Sequence, residues 1–311
     1  MASPEFARVL AYIEARYGAR PVAQPDDAAF VAASRAANSG YANVDGVEPP
    51  LAPGTRIVPV MAGGVPAEWV LTPTSRPDRR LLWLHGGGWI ACAPADYRNI
   101  TETLAEKAGA SVLAIDYRLA PEHPYPAGLD DCLSAYRWAR ANGPAGAEPA
   151  RTLWVAGDSA GGNLTLALLL RLKAAGEALP AAAATLGAVT DLTGRSPSMA
   201  ERAALDPMVT PGGFRTLGRL YVQGRAPLGD PFISPLYGDL EGLPPILMHA
   251  GEREVLVDDT LRFAERARAA GVRVAAKVWP GMIHVFEGFC HVLPEGRRSL
   301  AEIAAFLGAN S

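Results

Sequence analysis

From residue 56 onward, short apolar runs alternate with segments long enough to form helices. The helix-length segments lie near residues 94–109, 126–142, 160–175, 256–270 and 294–308. A strand, a helix and a second strand in the same sheet give a parallel pair. The alternation predicts an α/β fold in which helices flank a mostly parallel, eight-stranded sheet. The predicted strands are RIVPVMA, VPAEWVLTP, RLLWLH, SVLAID, RTLWVAG, AAAATLGAV, PPILMHAG and VRVAAKVWP.

Composition excludes several classes of protein. Hydrophobic residues make up 49% of the 311 residues and charged residues 20%, so the chain can bury a large core and is not disordered. The 29 Lys and Arg residues stand against 32 Asp and Glu, which gives a formal net charge of -3. Because the basic residues form no stripe, we expect no nucleic-acid partner.

The cysteines and the N-terminal segment bear on the compartment. Cys92, Cys132 and Cys290 form an odd, widely spaced set without a CxxC pair, which fits neither a disulfide framework nor a structural zinc site. Charged residues interrupt every apolar stretch of SPEFARVLAYIEARYGAR. We therefore expect no signal peptide and no membrane span, and a cytoplasmic location.

The regions outside the alternation are expected to cover the main domain. In residues 1–50, an apolar pattern with helical spacing follows a Ser-Pro start, and a second helix is predicted over Asp26 to Ala37. We assign this region to an N-terminal helical cap segment and residues 51–311 to the main domain. Residues 191–245 exceed what a crossover needs, so we expect them to contribute a second cap segment.

A glycine-flanked serine follows one of the predicted strands. The sequence GDSAG, with Ser159 at its centre, lies between the apolar run TLWVA and a helical run. Glycines on both sides allow a sharp strand-to-helix turn, which would expose the Ser159 hydroxyl at the edge of the sheet. Ser159 is the candidate nucleophile. The N–H of Ala160 begins the helix and would point toward a developing oxyanion.

A run of three glycines follows an earlier strand. His85 is followed by Gly86, Gly87, Gly88 and then Trp89. A loop without side chains presents bare N–H groups that a ligand can approach closely. We expect Gly86 with Gly87, or Gly87 with Gly88, to complete an oxyanion hole with Ala160. His85 is expected to hold this loop by hydrogen bonding.

The general base can be sought among five histidines. If the order nucleophile, acid, histidine applies, a base must come late in the chain. His284 lies just beyond the last predicted strand, in WPGMIHVF, where a loop position suits a mobile base. His284 is therefore the candidate base. The others are His85, His123, His249 and His291.

The acid is expected after the strand that precedes His284. The sequence there is HAGEREVLVDDTLRF, which offers Glu252, Glu254, Asp258 and Asp259. Carboxylates in the first turn of a helix are favoured by its dipole whether or not they react. We take Glu254, in the turn itself, as the acid that orients the imidazole, with Asp258 as the alternative. Asp158, beside the nucleophile, is expected to be an anchor.

Four stretches together resemble the hormone-sensitive-lipase-like bacterial carboxylesterases of the α/β-hydrolase superfamily. They are HGGGW at 85–89, DYRLAPEHPYPA at 116–127, GDSAGGN at 157–163, and the tail from GEREVLVDD at 251–259 to WPGMIH at 279–284. The likeness extends from about residue 56 and makes residues 51–311 the catalytic domain. It implies hydrolysis of short- to medium-chain acyl esters, small-molecule substrates, without a metal or cofactor. It also allows a homodimer, since such enzymes often pair through the final helix and last strand.

Two departures from the family pattern concern the site. The family often has Asp-Pro-Leu at the acid turn, whereas this chain has Glu254, one methylene longer, followed by Val-Leu. Many relatives have Ser-Pro-Trp where this chain has Gly187-Ala188-Val189, so the resemblance suggests a roomier acyl side. The candidate pocket walls are Trp89, Gly187, Phe214, Leu220, Tyr221, Val285 and Phe286.

Two other functions use the same framework. The triad does not select the leaving group, so amide, lactone or thioester hydrolysis is an alternative. A non-catalytic small-molecule receptor is the other, because plant gibberellin receptors resemble this family but lack the working histidine. The presence of His284 favours an enzyme.

Overall fold

The computed structural model of the protein describes residues 2–18 and 26–311. Its main sheet has eight strands in the order β1-β2-β4-β3-β5-β6-β7-β8. Strand β2 is antiparallel to both of its neighbours, and all later pairs are parallel. This confirms the predicted α/β fold. The strands are β1 Arg56–Ala62, β2 Val65–Leu71, β3 Arg76–Leu84, β4 Ala110–Ile115, β5 Thr152–Asp158, β6 Ala183–Leu186, β7 Ile246–Gly251 and β8 Val274–Trp279.

The central strands are largely apolar and fully buried, because helices cover both faces of the sheet there. On β3, Leu82 and Leu84 belong to one core, which includes Leu129 and Leu164. Leu81 and Trp83 belong to a second core, which includes Leu104 and Leu300. This alternation is the period of two that a strand imposes. The helices are α1 Pro4–Gly18, α2 Asp27–Asn38, α3 Arg98–Ala108, α4 Ala127–Ala141, α5 Ser159–Ala174, α6 Ser198–Glu201, α7 Pro211–Val222, α8 Val257–Ala269 and α9 Pro294–Ala309.

The N-terminal helices have different neighbours. Helix α1 contributes Phe6, Val9 and Ile13 to the core that it shares with α3 and α9. Helix α2 begins after Asp26, whose carboxylate accepts the N–H of Ala29 at 2.7 Å, and such a cap stabilises the first turn. Helix α1 is therefore part of the packed body, while α2 lies over the carboxyl ends of the strands.

Helices α2 and α7 are joined to each other and to the loop after β3. Asp27 on α2 and Arg219 on α7 form a two-pronged ion pair, with distances of 2.6 and 2.5 Å. Arg35 on α2 donates to the carbonyl of Ile90 at 2.8 Å and also binds Glu122. These contacts hold the two helices over one edge of the sheet.

Within residues 2–18 and 26–311, none of the helices combines the length and the apolar character that crossing a bilayer requires.

Candidate active site

Ser159 lies at a sharp turn between β5 and α5. Its φ is +50°, a left-handed conformation that side chains adopt only when their surroundings enforce it. The turn is tightly packed, because a Cβ at Gly161 would lie 2.0 Å from the carbonyl oxygen of Leu84. The strand, the glycines and the helix thus fix the serine at the edge of the sheet, as the sequence predicts.

The three side chains chosen from the sequence are in hydrogen-bond contact. His284 Nε2 is 2.9 Å from Ser159 Oγ, and His284 Nδ1 is 2.8 Å from Glu254 Oε2. His284 follows β8 in the loop before a short 3-10 turn, and its side chain is buried. The imidazole therefore connects a hydroxyl on one side with a carboxylate on the other.

Glu254 is fixed by its own turn. Its second oxygen, Oε1, accepts the N–H of Gly251 at the end of β7 at 2.5 Å. Asp258, the alternative acid, instead accepts the backbone N–H of Ser198 at 2.8 Å. Asp258, in the first turn of α8, thus anchors α6. Glu254 is the carboxylate that reaches His284.

Burial and charge act in opposite directions on His284. Burial disfavours the imidazolium, but Glu254 above all, together with Asp206 and Asp158, outweighs it and raises the pKa of His284 above its ordinary 6.5. Burial also raises the pKa of Glu254, against the opposing effect of His284. The site therefore stabilises a positive charge on the imidazole, which a base acquires when it removes a proton.

Asp206 is a site residue that the sequence reasoning missed. Its Oδ2 accepts the N–H of Val255, next to Glu254, at 3.0 Å. Its Oδ1 accepts the N–H groups of Met208 and Val209 at 2.8 and 3.0 Å. The dipeptide Asp-Pro is typical of a turn, and it is the signal in the sequence that could have pointed to Asp206. Burial raises the pKa of Asp206.

The glycine loop uses one N–H for its own support. Gly86 donates its N–H to Asp158 Oδ1 at 2.8 Å, and the Tyr97 hydroxyl donates to Asp158 Oδ2 at 3.0 Å. Because the N–H of Gly86 is already bonded, this geometry favours the alternative in which Gly87 and Gly88 are the loop donors. Gly87, Gly88 and Ala160 line the cavity beside Ser159.

His85 supports the glycine loop from the interior. It is fully buried, its Nδ1 is 2.8 Å from the carbonyl oxygen of Gly86, and its ring stacks on Tyr117 at 4.3 Å. Burial lowers the pKa of His85 to about 4. A neutral ring held in this way supports the loop by hydrogen bonding and stacking, as expected from the sequence for the hydrogen bond.

A cavity of about 770 Å³ opens over Ser159 and His284. Of the predicted walls, Trp89, Phe214 and Val285 line it. The other four are not among the residues that line it. Tyr221 stacks on the Trp89 ring at 4.5 Å from behind, Phe286 packs against Trp279 in the core, and Leu220 faces a separate cleft. Gly187 lies against Glu254 and His284. Further apolar lining residues are Phe30, Tyr41, Val189, Met208, Val209, Leu217 and Leu256.

The chain is similar to known proteins over most of its length. A family model described as alpha/beta hydrolase fold matches residues 81–288. The chain is 40% identical to an acetyl-hydrolase of Streptomyces hygroscopicus over 248 residues, 80% of this chain and 81% of that protein. It is 34% identical to an esterase of Acinetobacter venetianus, covering 83% of each. An esterase structure from the bacterial hormone-sensitive lipase family is 37% identical, with a TM-score of 0.88 over 100% of this chain and 99% of that one.

Proposed function

The chain belongs to the hormone-sensitive-lipase-like carboxylesterases of the α/β-hydrolase superfamily and is a carboxylic ester hydrolase; we propose that Ser159, His284 and Glu254 are its catalytic triad. The observation that carries the proposal is the continuous contact from Ser159 Oγ through the imidazole of His284 to the Glu254 carboxylate. This arrangement supports transfer of the serine proton as the hydroxyl attacks a carbonyl.

In the acylation half, Ser159 Oγ forms a bond to the ester carbonyl carbon while His284 Nε2 takes the serine proton. The carbonyl oxygen becomes an oxyanion, for which the N–H groups of Gly87, Gly88 and Ala160 are the proposed donors. Glu254 holds the other imidazole nitrogen in the donor form and stabilises the imidazolium. His284 then gives its proton to the leaving alcohol, and the acyl group remains on Ser159.

In the deacylation half, a water molecule replaces the alcohol. His284 takes a proton from the water as its oxygen attacks the acyl carbon, and the same N–H groups receive the second oxyanion. Return of the proton to Ser159 Oγ releases the carboxylic acid and restores the free enzyme.

Ser159→Ala tests the nucleophile. Hydrolysis of p-nitrophenyl butyrate should fall to background, and a fluorophosphonate probe should no longer label the protein. Ser134→Ala is the matched control, because its hydroxyl, on α4, donates to the carbonyl of Gly63 and is remote from the cavity. Near-normal activity in Ser159→Ala would refute the proposed nucleophile.

The proposed substrates are esters of short- and medium-chain acids. A largely apolar cavity of about 770 Å³, lined by residues of α2 and α7, has room for an acyl group and an alcohol of this size. Initial rates across p-nitrophenyl esters from acetate to palmitate test the range, and a maximum at palmitate would contradict it. Matched ester and anilide substrates with the same acyl group test the amide alternative.

We also propose a cytoplasmic location and a homodimer. Cys92, Cys132 and Cys290 are all free thiols, which supports a reducing compartment. Strand β8 is an outer strand of the main sheet, and it offers unpaired backbone groups to a second copy. Cell fractionation tests the location. Light scattering on the protein as it elutes from a size-exclusion column tests the homodimer.

A further inference from the structure

Gly187 lies directly against the acid and the base of the site. It follows β6, and its N–H donates to the carbonyl of His249 on β7 at 2.8 Å. A Cβ at this position would be 2.7 Å from Glu254 Oε2 and 2.7 Å from His284 Nδ1. Real Cβ atoms essentially never come this close to another heavy atom. A side chain here would therefore enter the hydrogen bond between Glu254 and His284.

The backbone on either side of Gly187 is held in place. The N–H of Val189 donates to the carbonyl of Ser159 at 3.3 Å. The next two N–H groups, of Thr190 and Asp191, both donate to Asp259 Oδ2, at 2.7 and 2.9 Å. Asp259 is buried on α8. Because the segment is tied to α5 and α8, it cannot move away to make room for a side chain.

Gly187 also has a backbone conformation that disfavours other residues. Its φ is +54°, in the left-handed region where a Cβ is strained. Backbone strain and the contact with Glu254 and His284 are thus two separate reasons for glycine at this position. Only the contact involves the reacting groups, so a control variant must separate its effect from that of backbone strain.

We propose that Gly187 is a positioning residue that makes room for the long side chain of Glu254. This inference rests on the proposed triad. Glutamate places its carboxylate one methylene, roughly 1.5 Å, farther from its backbone than aspartate does. At Glu254 this length brings Oε2 to 2.8 Å from His284 and into the space where a Cβ of residue 187 would lie. The long side chain at position 254 therefore requires the absence of a side chain at position 187, and we call this relation the match between the two positions.

A double-mutant cycle tests this match. Gly187→Ala should lower kcat/KM at least ~100-fold, because the methyl group displaces the carboxylate from the imidazole. Glu254→Asp should lower it about 10-fold or more, since the carboxylate is withdrawn. The loss in the double variant should be at least ~10-fold smaller than the product of the two single losses, because the shorter acid removes the contact between the methyl group and Oε2, while the contact with His284 Nδ1 remains.

Gly176→Ala is the matched control for backbone strain. Gly176 has φ +66°, close to that of Gly187, but a Cβ there would meet nothing within 4 Å. It lies just after α5, away from the site. Gly176→Ala should lose stability in thermal unfolding but keep wild-type kcat/KM. Comparable losses of activity in the two Gly→Ala variants would overturn the proposal.

The pH profile gives a readout that a loss of stability alone would not move. Displacing Glu254 weakens its charge at His284, so the acid limb of kcat/KM should shift to lower pH in Gly187→Ala. Multiplicative effects in the cycle, or an active Gly187→Ala enzyme, would overturn the proposal. If Gly187→Ala is too unstable to assay, the double variant must still be folded and more active than background; an unfolded or inactive double variant overturns it as well.

The two levels of the proposal fail separately. Activity that survives Ser159→Ala removes the triad itself. Loss of activity in Ser159→Ala combined with multiplicative effects at positions 187 and 254 leaves the triad in place and removes only the match between Gly187 and Glu254.

Discussion

Replacing Asp158 by asparagine should separate the stability of the fold from the activity of the site. Asp158 is buried and accepts hydrogen bonds from Gly86 and Tyr97. Burial, opposed by these bonds and by His284, raises the pKa of Asp158 from 3.8 to about 7. Asparagine keeps an oxygen for the Gly86 N–H but carries no charge. The Tyr97 hydroxyl can turn to accept from the new amide group.

The raised pKa fixes the sign of the stability effect. Between pH 3.8 and about 7 the folded state holds the Asp158 proton that the unfolded chain has already lost, so this group's contribution to stability is lost as pH rises. The difference corresponds to on the order of 4 kcal/mol. Asp158→Asn lacks this titration. The difference in free energy of unfolding between Asp158→Asn and the wild type should therefore shift in favour of the variant by up to ~4 kcal/mol from pH 4 to pH 8.

Activity should change in the opposite direction. The charged carboxylate fixes Gly86, and Gly86 precedes the proposed oxyanion donors Gly87 and Gly88. One misplaced donor of this kind costs up to roughly 100- to 1000-fold in rate; with one acceptor oxygen retained, we expect kcat to fall about 10- to 100-fold. Urea unfolding at several pH values and p-nitrophenyl butyrate kinetics provide the two measurements. A stability difference that stays constant from pH 4 to 8, or an unchanged kcat, would refute this reasoning.

Two further predictions concern the base and the glycine loop. Because proton removal needs neutral His284 and the pKa of His284 is raised, kcat/KM should increase with pH through a midpoint above 6.5. Glu254→Gln should move that midpoint to lower pH and reduce kcat by roughly 10⁴. An unmoved midpoint would contradict the assignment of Glu254. Tyr221→Ala removes the ring that stacks on Trp89 at 4.5 Å and should lower kcat about 10-fold through the loop. Tyr221→Phe keeps the ring and should stay active, because the buried hydroxyl has no hydrogen-bond partner among the described residues; equal losses in both variants would contradict a role for the stacked ring.

The elements that the sequence predicted well are those fixed by local pattern. The turn around Ser159 combines an apolar strand, two glycines and a helical run within a few residues, and all of these signals agree. The strand candidates also overlap the eight observed strands. The central strands are the clearest, because burial on both faces leaves them largely apolar. Local patterns of this kind need no knowledge of distant contacts.

The features of the site that the sequence left open or missed depend on contacts across the chain. Gly86 and Gly87 have the same local sequence character, and only the carboxylate of Asp158, 72 residues away, uses the N–H of Gly86. Gly187 reads as an open wall, whereas its neighbours Glu254 and His284 come from two later turns. Asp206 also acts across the chain, since it reaches the acid turn from the loop between α6 and α7.

The cost of this site is visible in its charges. Three buried carboxylates, those of Asp158, Asp206 and Glu254, surround His284, and burial raises the pKa of each. Each is less stable as an anion than it would be in water, yet together they raise the pKa of the imidazole. A site selected for stability alone would lose this charge. In the proposed mechanism the same carboxylates favour the imidazolium that forms as Ser159 attacks, and they therefore lower the barrier to reaction.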